Sequence, residues 1–213
     1  MNYFAHGVRF LEDPYFLAGT AVPDWLSVVD RRSRISSKAA TPFLAADEPR
    51  LAALAAGIVQ HHRDDEWFHG TPAFVELNLD LTGEIRAWLP GDESFRPSFL
   101  AHILVEILLD AELIAERPER LDTYYQRMES LDPGVVCRAV DRMATRPAPQ
   151  LEVFIPLFSA ERFLCDYAED DKLLGRLNRV LKRVGLPPLP ESFRDFLPGV
   201  RRRVHARRGE LFE

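Results

Sequence analysis

Five of the six histidines, His6, His61, His62, His69 and His102, fall in the first half of the chain, among acidic residues at helical spacings. Imidazole together with carboxylate is a donor set that zinc, iron and manganese accept. A divalent ion held in this way turns bound water into hydroxide near neutral pH. The chemistry indicated is metal-assisted hydrolysis.

Two segments carry most of these groups. In Gly57-Ile-Val-Gln-His61-His62-Arg-Asp64-Asp65-Glu-Trp-Phe68-His69, the residues His61, Asp65 and His69 step by four and present imidazole, carboxylate and imidazole along one stripe. From Ala101 to Ala111 every side chain is apolar except His102, Glu106 and Asp110, again four apart. A helix apolar around the rest of its circumference is expected to be buried, and a buried carboxylate left unpaired is strongly destabilising. Glu106 therefore needs a metal ion or an arginine from another helix, such as Arg86 or Arg63. The competing reading of the first segment is a polar surface face with incidental histidines. Trp67, Phe68 and the apolar stretch from Ala52 to Val59 weigh against it. His62 and Asp64 either orient the ligands or face solvent. By spacing alone His6 and Asp24 stay outside the set, because a lone histidine near a terminus and an aspartate after Pro23 have structural uses.

The elements that must position these groups read as helices throughout. Apolar residues recur at three- and four-residue steps and no stretch alternates with period two, so the expected fold is all-α, a single multi-helix domain of roughly eight helices with the metal-ligand helices in its N-terminal half. A first helix spans Asn2 to Phe10. A second starts at Tyr15 and is expected to break near Pro23-Asp24, and residues 31 to 41 read as an exposed loop. Asp47-Glu48-Pro49 opens a helix that runs through His69 and closes at Gly70. Thr71-Pro72 caps another, ended by Pro90-Gly91. Helices follow at Ser98 to Glu116, Glu119 to Ser130, Val135 to Thr145, Gln150 to Tyr167, Asp170 to Val184 and Glu191 to about Arg208. Residues 1–116 form the expected metal-binding core and 117–213 a helical scaffold with a basic tail, both in the same domain.

The 213 residues suffice for a sizeable core, and the net charge of −6 gives no support to nucleic-acid or bulk anionic-membrane binding. Residues 176–213 hold ten basic residues against four acidic ones, so that stretch carries +6 and the remainder −12. The tail reads as a solvated helix face, with His205 part of it, or as a contact for an acidic partner. Cys137 and Cys165 have no metal-type pairing, which suits a reducing, cytoplasmic setting. No secretory signal or stretch of membrane-spanning length is evident.

The pattern Gly57-x-x-x-His61-x-x-x-Asp65-x-x-Phe68-His69 resembles the signature helix of the zinc-dependent phospholipase C family of prokaryotes, whose upstream element is matched by Ala18-Gly19-x-x-x-Pro23-Asp24. His102 and Glu106 match that family's later His-x-x-x-Glu. The opening Met1-Asn2-Tyr3-Phe4-Ala5-His6 is similar to the start of acyl-carrier-protein phosphodiesterases, helical metal-dependent enzymes related to the HD-domain hydrolases. Both resemblances cover about residues 1 to 115 and imply phosphoester hydrolysis at a divalent-metal centre. Both raise His6 and Asp24 to ligands. The chain lacks an adjacent His-Asp doublet, has a shorter step from Asp65 to His69, and is not expected to use its amino terminus as a ligand. These departures favour one or two ions over three.

The combined expectation is one or two ions of zinc, manganese or iron held by His6, Asp24, His61, Asp65, His69, His102 and Glu106, with catalytic or positioning roles for Asp65, His62 and Asp110. Asp110 is the candidate for orienting His102. The substrate would be a small-molecule or carrier-protein phosphoester. The alternative is a non-catalytic helical binding or scaffold protein with a structural metal site or a polar His/Asp network.

Overall fold

Among the described residues six helices begin at a proline, where the missing N–H costs nothing and the fixed φ suits the first turn. The computed structural model describes residues 1–89 and 96–212, and in them the chain is all-α. The expected stop at Pro90-Gly91 lies outside the described residues. The α-helices are α1 (Tyr3–Gly7), α2 (Pro14–Val29), α3 (Ser37–Ala40), α4 (Pro49–Gly70), α5 (Pro72–Trp88), α6 (Pro97–Glu116), α7 (Pro118–Glu129), α8 (Pro133–Asp141), α9 (Gln150–Glu161), α10 (Asp170–Arg183), α11 (Leu197–Ala206) and α12 (Arg208–Leu211). Short 3-10 turns at Thr41–Phe43, Phe163–Ala168 and Glu191–Phe196 join some of them. Among the described residues no helix is long and apolar enough to cross a membrane.

The chain falls into two compact units, and the division does not follow a single cut near residue 116. One comprises residues 3–67 and 117–162, the other 1–2, 68–116 and 163–213.

In the unit of residues 3–67 and 117–162, α2 and α4 cross at Gly19 and Gly57. A side chain at Gly57 would place its first carbon 2.1 Å from the Phe16 carbonyl oxygen, and one at Gly19 would meet the Leu54 carbonyl oxygen at 2.3 Å. Only hydrogen fits at either position. Trp25 packs edge-on against Phe154 and Phe158 of α9, and Phe4 lies against Tyr124 of α7. Two expectations fail in this unit. α2 does not break at Pro23, although the ring withholds an N–H from the Gly19 carbonyl. Leu17, Val22, Trp25 and Leu26 are buried on both sides of it, and at about 1.5–3 kcal/mol each their burial exceeds the roughly 3 kcal/mol a helical proline costs. Residues 31–41 are not a wholly exposed loop either: Ser33 and Ile35 are buried and α3 forms inside the segment. The cause is pairing with a distant stretch, because the Thr145 N–H donates to the Arg34 carbonyl at 2.8 Å and the Ser33 hydroxyl donates to the Arg146 carbonyl at 2.7 Å.

In the other unit, α5 and α6 pack along their length, with Phe74, Leu77, Leu81 and Ile85 facing Leu100, Leu104 and Leu108 in the core. Thr71 caps α5 by accepting from the Phe74 N–H, as its position before Pro72 implies. The basic tail keeps an exposed face and is also tied down by ion pairs. Arg203 pairs with Glu84, Arg207 with Glu76, Arg208 with Glu116 and His205 with Glu112, so α11 and α12 answer the acidic faces of α5 and α6. The long helix expected from Glu191 onward is divided into a 3-10 turn, α11 and α12.

Candidate metal centres

Six of the seven sequence-derived ligands enter close groups, and Asp24 does not. The structure forms two three-residue groups, each with two imidazoles and one carboxylate whose donor atoms lie within 4.8 Å of one another: His6, His61 and Asp65 in one unit, His69, His102 and Glu106 in the other. The stripe read along α4 therefore divides. Each four-residue step on an α-helix overshoots a full turn by about 40°, so His69 is turned about 80° from His61. The same drift separates Asp110 from His102 on α6.

In the first group the glycine crossing sets the geometry. His61 lies one turn beyond Gly57 and Thr20 follows Gly19, so the close approach brings His61 Nδ1 to 2.8 Å from the Thr20 carbonyl oxygen. A carbonyl only accepts, which fixes a proton on Nδ1 and turns Nε2 of His61 toward Asp65 Oδ2 at 3.4 Å. His6, from α1, stacks on His61 with ring centres 4.1 Å apart. Its Nε2 lies 3.2 Å from Asp65 Oδ1 but without hydrogen-bond alignment, and its Nδ1 lies 3.4 Å from Asp64 Oδ2. Burial opposes a charge on His6, yet hydrogen bonding to Asp64 and Asp65 outweighs it and raises the pKa to about 9. Burial likewise opposes ionisation of Asp65, and hydrogen bonding to His6 and His61 holds it well below the usual carboxylate range. The group thus sets two imidazole nitrogens against the two oxygens of one carboxylate.

In the second group three nitrogens surround one oxygen. His69 Nε2, His102 Nε2 and the Met1 α-amine each lie 3.0 Å from Glu106 Oε1. Phe68 and Phe74 wall the two rings, with Phe74 4.9 Å from His69 and 5.0 Å from His102 between centres. Burial pushes the Glu106 carboxyl up, but the α-amine and the hydrogen bonds with His102 and His69 hold it well below its ordinary value. The partners of Glu106 are thus imidazoles and an amine, not the arginine considered from sequence. No sequence signal marked the α-amine for this place.

The remaining candidates sit elsewhere. Asp24 belongs to neither group; it is half-buried in α2, where its backbone carbonyl accepts from the Ser27 hydroxyl. His62 Nε2 donates to the Ile35 carbonyl at 3.0 Å, and burial together with the neighbouring His61 lowers its pKa. Asp110 is fully buried and accepts from the Asn2 amide at 2.9 Å, while the same amide donates to the Tyr167 hydroxyl. Its contact is with the start of the chain, and His102 is instead held by Glu106.

Both groups fit a divalent ion. Ligand atoms of a tetrahedral centre with zinc-like bond lengths lie about 3.4 Å apart. The nitrogen–oxygen separations of 3.2 and 3.4 Å in one group and 3.0 Å in the other need only small adjustment. Three protein ligands leave a fourth position open. The groups differ in access: the His6 and His61 side chains are 0% and 4% exposed, those of His69 and His102 33% and 38%. No family model, curated protein or solved structure matches the chain.

Proposed function

We propose that this chain is a divalent-metal-dependent phosphoester hydrolase whose reacting centre is formed by His69, His102 and Glu106. The observation that carries the reading is a set of two imidazoles and one carboxylate reachable from solvent, with three ligands and one coordination position to spare. A bound ion would supply Lewis acidity and lower the pKa of water from about 16 to about 7. The chain's own part is to hold that position. Glu106 fixes both Nε2 atoms, and Phe68 and Phe74 restrict the rings and keep one side apolar. The phosphoester class rests on the resemblance to phospholipases C and acyl-carrier-protein phosphodiesterases in residues 1 to 115. A small-molecule or carrier-protein phosphoester is the substrate class, in a cytoplasmic setting, with zinc, manganese or iron as the ion.

The test is elemental analysis of the purified protein followed by hydrolysis of bis-p-nitrophenyl phosphate with and without chelator. Turnover that chelator removes and metal restores supports the reading. Bound metal with no turnover on phosphodiester or phosphomonoester probes overturns it. That outcome favours the second reading, a non-catalytic helical protein with structural metal, for which the burial of His6 and His61 speaks.

A further inference from the structure

We infer that His6, His61 and Asp65 hold a metal ion of their own with a structural role, which staples the short helix α1 to α4 and exchanges slowly. The inference shares with the proposed function only the premise of metal binding, and it stands whether or not the other group hydrolyses anything.

Three observations converge on it. His6 Nε2 is buried, 3.2 Å from a carboxylate oxygen and out of line for a hydrogen bond to it. His61 is held through Nδ1 by the Thr20 carbonyl, which turns Nε2 toward the other oxygen of the same carboxylate. The two rings are stacked at 4.1 Å, which brings both Nε2 atoms to the same carboxylate. One divalent ion between the two Nε2 atoms and Asp65 meets all three demands at once, and imidazole with carboxylate suits zinc, manganese or iron(II). Asp64 lies against His6 Nδ1, and Gln60 donates to Asp64 at 2.7 Å, which holds that carboxylate in place as the outer partner of a ligating histidine.

The structural role follows from where the ligands come from. α1 has five residues, too few to be stable as an isolated helix, and all five are buried. His61 and Asp65 belong to a helix of 22 residues clamped by the glycine crossing. Coordination across the two would fix the short helix to the long one. Both imidazoles are closed to solvent and only Asp65 reaches it, so an ion held here is expected to leave more slowly than one at His69 and His102.

The experiment loads the full chain with Zn²⁺ alone, removes excess metal, and follows release to a chromogenic chelator while hydrogen exchange is read at residues 3–7. Two equivalents are expected, the second leaving at least tenfold more slowly than the first. His61→Ala, or the milder Asp65→Asn if that variant does not fold, removes the slow phase and speeds exchange in α1 at least tenfold. His69→Ala removes only the fast phase. A single equivalent, a slow phase that survives both His61→Ala and Asp65→Asn, or α1 exchange unchanged by metal overturns the inference. Loss of hydrolysis with the slow phase intact would instead count against the phosphoesterase reading alone.

Discussion

The two ligand groups use the same donor types and differ in how they are built. At His6, His61 and Asp65 the backbone takes part: a glycine crossing and a carbonyl set one imidazole, and a short helix delivers the other. At His69, His102 and Glu106 two imidazoles and the Met1 α-amine gather around one carboxylate oxygen, beside two aromatic rings and with the imidazoles reachable from solvent. One arrangement buries its imidazoles and exposes its carboxylate, and the other does the reverse. A fixed, buried set suits retention of an ion, and an accessible one suits turnover.

The largest expected difference is in activity. His102→Ala should reduce phosphodiester hydrolysis by about a thousandfold, more than the 10–100-fold typical of losing an outer partner of a metal ligand. It should leave the unfolding midpoint of the chelated protein within a few degrees, as differential scanning calorimetry would show. Equal losses from His102→Ala and His61→Ala in both measurements would erase the distinction between the groups.

Next comes Gly57→Ala. The added carbon would meet the Phe16 carbonyl oxygen at 2.1 Å, so α2 and α4 must separate, at a cost of about 3 kcal/mol in chemical denaturation. The His61 contact with Thr20 should weaken with it, and one equivalent of bound zinc should be lost while the other remains.

A smaller effect is expected from pH on the chelated protein. The pKa of His6 is raised in the folded state, to about 9 from 6.5. Its contribution is therefore complete below pH 6.5 and lost as pH rises through 9, about 2 kcal/mol between pH 7 and 10. Asp65 and Glu106 are shifted down and act in the opposite sense, stabilising above the ordinary carboxylate range and losing that contribution as pH falls below it. His6→Gln should flatten the alkaline limb and leave the acidic limb from Glu106, so urea midpoints across pH separate the two groups.

The smallest change is expected from Arg203→Gln, which removes a partly exposed pair with Glu84 and should cost less than about 1 kcal/mol, with metal content and hydrolysis unchanged.

Much of the fold was legible because helix ends are local chemistry. Proline at the first position of α4 and α5, Thr71 as a cap and Gly70 as a stop are all visible in a few consecutive residues. The continuity of α2 through Pro23 and the anchoring of residues 31–41 were not, because the first depends on burial and the second on pairing with Thr145 and Arg146, far along the chain. The ligand types were legible too, and six of the seven ligand residues enter a group. Their partition was hidden: spacing by four places residues near one stripe without saying how far the helix has turned by the second step. The Thr20 carbonyl and the Met1 amine are backbone groups, to which a side-chain pattern is blind.

The crossing at Gly19 and Gly57 constrains how the chain can diverge. An imidazole ligand can be exchanged in evolution for a carboxylate or a thiolate and still bind an ion. No residue replaces hydrogen where two carbonyls already occupy the space a methyl would need. Distant kin that retain the carbonyl tie to His61 should therefore preserve the paired glycines more strictly than the histidines, which makes that pair the better probe for recognising them.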